Sequence, residues 1–364
     1  MIPMVDLKRQ YHDLKKEIDA AISDVLEETR FILGPNVSAL EEEVAAYHGL
    51  SYAIGVANGT DALLLALRAC GIQDGDEVIT TPFTFIATAE VIALLKAKPV
   101  FVDICPDTYN IDCSQIAARI TPKTKAIIPV HLFGHPADMD PLMEIARKHN
   151  LKVIEDCAQA FGATYKGKKV GSIGDAGCFS FFPSKNLAGY GDGGMVITRS
   201  KDIAGQIKML RNHGSSKRYY HQEVGYNSRL DEIQAAIIRI KLKKIDQFNA
   251  ARRHNAASYC EEINNKNVIL PVAASGCEHV YHQFTIRSHK RDLLASALQK
   301  ENIASAVYYP VPLHQQDVFL KLYHYSERLP QTEQCSQEVL SLPMFPELSR
   351  EEIRLIADVI NGTF

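Results

Sequence analysis

Between residues 52 and 198 the chain repeats one pattern, a short apolar β-rich run followed by a segment of helical character. Such alternation marks βαβ units, whose parallel strands need crossover helices on the faces of the sheet, so an α/β fold with a mainly parallel sheet is predicted. Seven runs qualify: 52–57, 77–81, 99–103, 125–132, 151–156, 178–182 and 193–198. Asp61 to Ala69 and Ala87 to Leu95 are apolar enough to be buried helices between them. After the sheet, Ser228-Arg229-Leu230-Asp231 reads as a capping box opening one long helix. Leu230, Ile233, Ile237, Ile240 and Ile245 would form its apolar face, with Arg239, Lys241, Lys243 and Lys244 on a solvated one. Beyond about residue 250 the alternation thins. A chain of 364 residues is comfortable as two domains, so a large domain over 1–248, with residues 1–30 helical and packing near the smaller unit, and a small α+β domain over 249–364 are expected.

Composition narrows the function. A formal charge of −3 lacks the basic field that phosphate neutralisation requires, which argues against nucleic acid as the main partner. No apolar stretch approaches the ~18 residues of a membrane span, and Met1 to Leu7 do not resemble a secretory signal, so a cytoplasmic protein is expected. The eight cysteines form no C-x-x-C pair and read as reduced thiols; Asn58-Gly59-Thr60 and Asn361-Gly362-Thr363 match a glycosylation acceptor that carries no weight without such a signal.

Three segments could carry chemistry. Asn58-Gly59-Thr60-Asp61 lies between a strand and an apolar helix, where free amides and the helix dipole suit an anion, although an ordinary N-cap has the same form. Glu155-Asp156-Cys157-Ala158-Gln159 places acids at the carboxyl end of a buried strand, the edge at which α/β sheets bind ligands, though a helix cap is an equal reading. Ser180-Phe181-Phe182-Pro183-Ser184-Lys185 sets one lysine after an apolar strand, where lost hydration lowers an amine's pKa and suits it to a Schiff base. The loop Gly189 to Gly194 follows, a turn before the next strand. Singly each is weak. Together, phosphate cup, acid and lysine are the parts that pyridoxal-phosphate (PLP) chemistry asks for.

These segments, with Pro82-Phe83-Thr84-Phe85, Gly191-Asp192-Gly193-Gly194, Asn227-Ser228-Arg229-Leu230-Asp231 and Ile32-Leu33-Gly34-Pro35, resemble the DegT/DnrJ/EryC1/StrS family of nucleotide-sugar aminotransferases over nearly the whole chain. The resemblance implies PLP fold type I, with PLP and its aminated form PMP as cofactor. It implies Lys185 as the catalytic, cofactor-bonded residue, Asp156 at the pyridinium nitrogen, Gln159 on the ring-hydroxyl side and Phe85 stacked on the ring. Gly59, Thr60 and Ser180 would hold the phosphate, with Asn227 supplied by the second subunit of a homodimer whose active sites are shared. It further implies a nucleotide-linked ketosugar as acceptor and L-glutamate as donor, in bacterial surface-glycan or antibiotic-sugar synthesis.

On the substrate side, Ala306 to His314 resembles the family's stretch near the sugar, but Tyr308 stands where a histidine is expected. Tyr309 and His314 match and could hydrogen-bond hydroxyls, or equally pack as an aromatic, proline-rich turn. Arg229 suits an oxyanion anchor. Arg211, His213, Lys217 and Arg218 form a basic stretch that could assist phosphates or simply be solvated. The Tyr190-Gly191-Asp192-Gly193-Gly194 form of the loop looks more like 3-keto than 4-keto members, leaving dTDP- and UDP-linked sugars open.

Alternatives are a 4-keto aminotransferase, a sugar dehydratase and a non-catalytic PLP- or sugar-binding regulator of the same fold. Dehydrating relatives carry histidine in place of the lysine, and this chain has Lys185. A zinc site on His131 and His135 is disfavoured by the intervening Gly134, the following Pro136 and the lack of a glutamate beside His131, so no metal is expected.

Overall fold

The computed structural model describes residues 1–363. The seven runs form one sheet of β1 (Tyr52–Val56), β2 (Glu77–Thr80), β3 (Lys98–Phe101), β4 (Thr124–Ile127), β5 (Lys152–Asp156), β6 (Ala176–Ser180) and β7 (Gly194–Thr198). Its order is β1-β7-β6-β5-β4-β2-β3. Only β7 runs against its neighbours. This is the mainly parallel α/β architecture that the alternation predicts.

Strand side chains alternate between faces, and each face has its own helices. Ile54, Val196, Cys178 and Ile154 pack on one side against the apolar residues of the helix Gly59–Ala69 and against Ile203 and Ile207. Ala53, Ile197 and Phe179 pack on the other against Val37, Leu40 and Val44 of the helix Pro35–His48. Burial on both faces explains why these strands read as continuous apolar runs.

A separate apolar core lies in the later part of the chain, where the antiparallel pair Phe284–Arg287 and Val339–Leu342 packs with Tyr259, Leu294, Leu298, Ile356 and Ile360. The first helix, Leu7–Glu28, touches both regions: Leu14 and Ile18 meet Ile237 and Ile240, while Arg9 makes two hydrogen bonds, of 2.8 and 2.6 Å, to the Glu352 carboxylate.

Two expectations fail after the sheet. The helix begins at Glu232 rather than in a capping box, and it ends at Leu242, with a second helix running Ile245–Glu262. The Ser228 hydroxyl accepts the Ala57 amide, 3.2 Å away, and lies four residues ahead of the helix start, too far to cap it. Glu232 instead accepts the amides of Asn36 and Val37 at the start of the helix Pro35–His48. A carboxylate there meets both free amides and helix dipole, and a Cβ on Gly34 would lie 2.8 Å from it, which is what glycine avoids. Nor is the basic face all solvated. Lys241 is buried, its amine 4.0 Å from the centre of the Tyr190 ring, and the lost hydration pushes its pKa down to about 8.

Candidate active site

The helix Gly59–Ala69 starts at the carboxyl end of β1, and Asn58 caps it, its Oδ1 accepting the Asp61 amide at 2.8 Å. The Asn58 carbonyl takes the Ala62 amide, which leaves the amides of Gly59 and Thr60 without an acceptor among the described residues. Thus the cap is real and the anion-competent amides remain free. Ser180, at the end of β6, closes over this point: a Cβ on Gly59 would sit 2.6 Å from that of Ser180. The Ser180 Oγ accepts the Phe182 amide at 3.3 Å, so its proton can still be donated.

Asp156 ends β5 and is buried. No helix begins after it. Its Oδ1 accepts the Ala158 amide at 3.1 Å in a turn, and its Oδ2 accepts the hydroxyl of Thr88 at 2.8 Å. Thr88 also shares a 3.1 Å hydrogen bond with Thr84. Burial pushes the Asp156 carboxyl up, against the opposing pull of Thr88, Ala158 and Lys185. Sequence reasoning missed Thr88, whose signal is its place one helical turn after Thr84 of the quoted Pro82 to Phe85 motif.

Lys185 lies in a turn closed by a 2.8 Å hydrogen bond from its amide to the Phe182 carbonyl. Loss of hydration around its amine lowers the pKa to about 8, and only Asp156 opposes this. Acid and amine are therefore close enough to act on each other's charge. Gln159 joins them: its Oε1 accepts the Phe133 amide at 2.8 Å, and its Nε2 donates to the Tyr309 hydroxyl at 3.0 Å. One Gln159 N–H is left over. Phe83 braces Tyr309 edge-to-face, with ring centres 6.2 Å apart. Phe85, one residue after the Thr84 that bonds Thr88, stays 55% exposed, an unusual state for so large an apolar ring.

Glu155 plays a different part. Successive strand residues face opposite ways, and its buried carboxylate accepts the amides of Gly171 (2.8 Å), Ile173 (2.8 Å) and Gly174 (2.7 Å) and the Nε2–H of His131 (3.0 Å). The other His131 nitrogen accepts the Ala137 amide at 3.0 Å, which fixes the proton on Nε2. Burial acts to raise the pKa of Glu155, but His131 and the backbone donors outweigh it and hold the group below its ordinary value. His131, Glu155 and Cys157 have ligand atoms within 4.8 Å of one another. The lone pairs of His131 and Glu155 are already spent, and burial pushes the Cys157 thiol well up and keeps it protonated, so the trio fits a hydrogen-bonded anchor rather than a metal centre.

Asn227 and Arg229 line an open cleft of about 550 Å³ with Asn58, Gly191 and Asp192. The buried Arg229 Nε has no hydrogen-bond partner among the described residues, while its Nη1 donates to Asn212 Oδ1 at 3.5 Å. Of the basic stretch, Arg211 is not available to a ligand, because its Nη1 bonds both Glu41 and the Gly55 carbonyl at 2.6 Å and the residue is buried. Lys217 and Arg218 stand exposed on a hairpin, over the rings of Tyr220 and Tyr219. His314 is buried beside Phe101, its Nε2 3.5 Å from Glu333, and is not among the groups gathered at Asp156. All eight cysteines are free thiols. Among the described residues no helix is long and apolar enough to cross a membrane.

Comparison with known proteins gives the same picture. The profile of the DegT/DnrJ/EryC1/StrS aminotransferase family matches residues 12–361. A Geobacillus stearothermophilus protein named "Pleiotropic regulatory protein" is 51% identical, over 99% of this chain and 97% of its own length. A UDP-N-acetyl-3-dehydro-alpha-D-glucosamine 3-aminotransferase of Acidithiobacillus ferrooxidans is also 51% identical, over 100% and 98%. Among solved structures, that of S. venezuelae DesV in complex with a ketimine intermediate superposes with a TM-score of 0.96 at 42% identity, covering 99% of this chain and 97% of that one.

Proposed function

The chain belongs to the DegT/DnrJ/EryC1/StrS aminotransferase family, and from that premise we propose that it moves an amino group from L-glutamate onto C3 of a UDP- or dTDP-linked 3-ketosugar, with Lys185 as the reacting residue. The enzyme is a PLP-dependent sugar aminotransferase. What carries the assignment of roles is the Lys185 amine set in a dehydrated place against the buried Asp156 carboxylate, with its pKa drawn down to about 8. The donor set fits PLP at each end. Two free amides at a helix start and the Ser180 hydroxyl suit a phosphate, a carboxylate suits a pyridinium nitrogen, the spare Gln159 N–H suits a ring hydroxyl, and the exposed Phe85 suits a ring face.

Bound there, PLP supplies an electron-withdrawing ring that acidifies the C–H of an attached amino donor. The chain does the rest. Asp156, its orientation fixed by Thr88 and Ala158, keeps a negative charge against the ring nitrogen. Lys185 Nζ, which is neutral in a useful fraction near pH 7 to 8, takes the proton from the donor's Cα and returns it on the other side of the transfer. Tyr309, pinned by Gln159 and Phe83, lies within reach of the acid's charge and is placed to meet a sugar hydroxyl. Arg229, with an unpartnered guanidinium nitrogen, is placed to meet an oxyanion.

Asn227 is exposed on this chain, which supports its serving the phosphate site of a second subunit in a homodimer. The core built on Phe284–Arg287 and Val339–Leu342 supports a small domain over 249–364 beside a large one over 1–248, with Ile2 reaching into the small one and a shared apolar boundary between them, and we place the enzyme in the cytoplasm. A UDP-linked 2-acetamido-3-ketosugar is the first acceptor to try, since a relative sharing 51% of residues bears that substrate in its name.

Borohydride reduction of the PLP-loaded enzyme, followed by peptide mass spectrometry, is expected to fix the pyridoxyl group on Lys185 and nowhere else. Label on another lysine would overturn the assignment. Gly59→Ala is expected to overpack the contact with Ser180. At about 1–3 kcal/mol that corresponds to roughly a 5- to 150-fold weaker Kd for PLP, read by fluorescence titration. An unchanged Kd would place the phosphate elsewhere.

A further inference from the structure

The residue after the reacting lysine, Asn186, is buried and uses both amide hydrogens. Its Nδ2 donates to Asn249 Oδ1 at 2.8 Å and to the Val280 carbonyl at 3.0 Å. A backbone carbonyl can only accept, so the amide orientation is settled and Oδ1 is the acceptor. The group 3.2 Å from that oxygen is Nδ1 of His282, which must therefore carry its proton. Asn249 in turn donates to the Phe161 carbonyl at 3.0 Å, and a Cβ on Gly162 would lie 2.6 Å from its Nδ2. The segment around His282 is sewn to the turn that serves Gln159: the Val280 amide donates to Gly134 and the Gln283 amide to Phe133. Two side-chain amides, those of Asn186 and Asn249, thus join four places, namely the turn of Lys185, the turn after Gln159, the helix Ile245–Glu262 and residues 280–283.

We infer that Asn186 is a positioning residue for Lys185, and that His282, through its Nδ1–H, holds Asn186 in the orientation that keeps the lysine amine at Asp156. A buried amide with every bond made has one orientation, whereas one with an unmet acceptor draws in water or turns. A turn tied at one residue carries that order to its neighbour, and displacement of a reacting group by an ångström costs about a hundredfold in rate. The titratable groups facing the Lys185 amine are Asp156 and His282. Burial holds His282 well below its ordinary pKa, so it stands as a neutral donor and adds no charge beside the lysine.

This inference rests on Lys185 being the reacting residue, and its test separates the two claims. In the full-length chain freed of PLP, pulse labelling of Lys185 with acetic anhydride across pH, read by peptide mass spectrometry, reports the amine directly whether or not the enzyme transaminates. His282→Leu removes the Nδ1 donor, while His282→Asn restores a donor at the same distance from the backbone. For His282→Leu the half-labelling pH is expected to rise by about one unit towards that of an ordinary lysine, and kcat of the PLP-loaded enzyme to fall roughly tenfold or more with little change in KM. His282→Asn is expected to return both. Asn249→Ser, which loosens the same amide, is read in the same way if the leucine variant does not accumulate folded. A half-labelling pH within about 0.3 unit of the parent's and a kcat within about twofold of it, with only the melting temperature moved, would show a merely structural role and overturn the inference.

Discussion

Lys185→Ala is expected to lose amino transfer by a factor on the order of a thousand or more while the chain stays folded. Proton transfer by a positioned side chain is worth about 10²- to 10⁴-fold, and no second amine faces Asp156 in the described residues to replace it. Folding is spared because the amine makes no hydrogen bond that other groups depend on and sits where its charge is disfavoured. Lys185→Arg should be as inactive, since a guanidinium remains protonated at any working pH. Glutamate turnover and thermal melting, measured on the same preparations, check both halves. Activity within about tenfold of the parent would remove Lys185 from the mechanism.

The adjacent acids are expected to fail in opposite ways. Glu155→Ala strands three backbone amides and the His131 N–H in a buried site, which should cost about 3–5 kcal/mol of stability. Asp156→Asn keeps the acceptor for Ala158, and the Thr88 hydroxyl can reverse to accept, so that variant should fold normally. It gives up the charge, about 2–3 kcal/mol of charge-assisted bonding, or roughly 30- to 150-fold in kcat. Calorimetry and kinetics on the two variants read this directly. Comparable melting temperatures for both would refute the division of roles.

That division was not legible in the sequence, for a physical reason. Glu155 and Asp156 end the same strand, and alternation says only that they face opposite ways, not which way the ligand lies. The seven strands, by contrast, announce themselves because a parallel sheet is buried on both faces and must be apolar throughout. Chemistry-bearing residues within short motifs were equally readable: Gly59, Ser180, Asp156, Gln159 and Lys185 meet at one edge of the sheet. Long-range partners were not. Nothing near Lys241 in the chain foretells the Tyr190 ring over its amine, nothing near Arg211 foretells Glu41, and nothing near Ser228 foretells that its hydroxyl accepts the Ala57 amide, 171 residues away. His314 shows the same limit, since the Glu333 carboxylate that it faces at 3.5 Å lies beyond its own motif. The clamp on Asn186 joins residues more than sixty positions apart and leaves no local pattern.

The most direct test of the account follows the nitrogen. Purified enzyme with PLP, ¹⁵N-labelled L-glutamate and a UDP-linked 2-acetamido-3-ketosugar is analysed by mass spectrometry, beside a dTDP-linked 3-ketosugar and the Lys185→Ala control. The account predicts ¹⁵N on a nucleotide sugar with matching 2-oxoglutarate, and none in the control. A chain that binds PLP on Lys185 yet leaves the label on glutamate with 3-keto and 4-keto sugars alike would contradict it and favour a regulatory binder of the same fold.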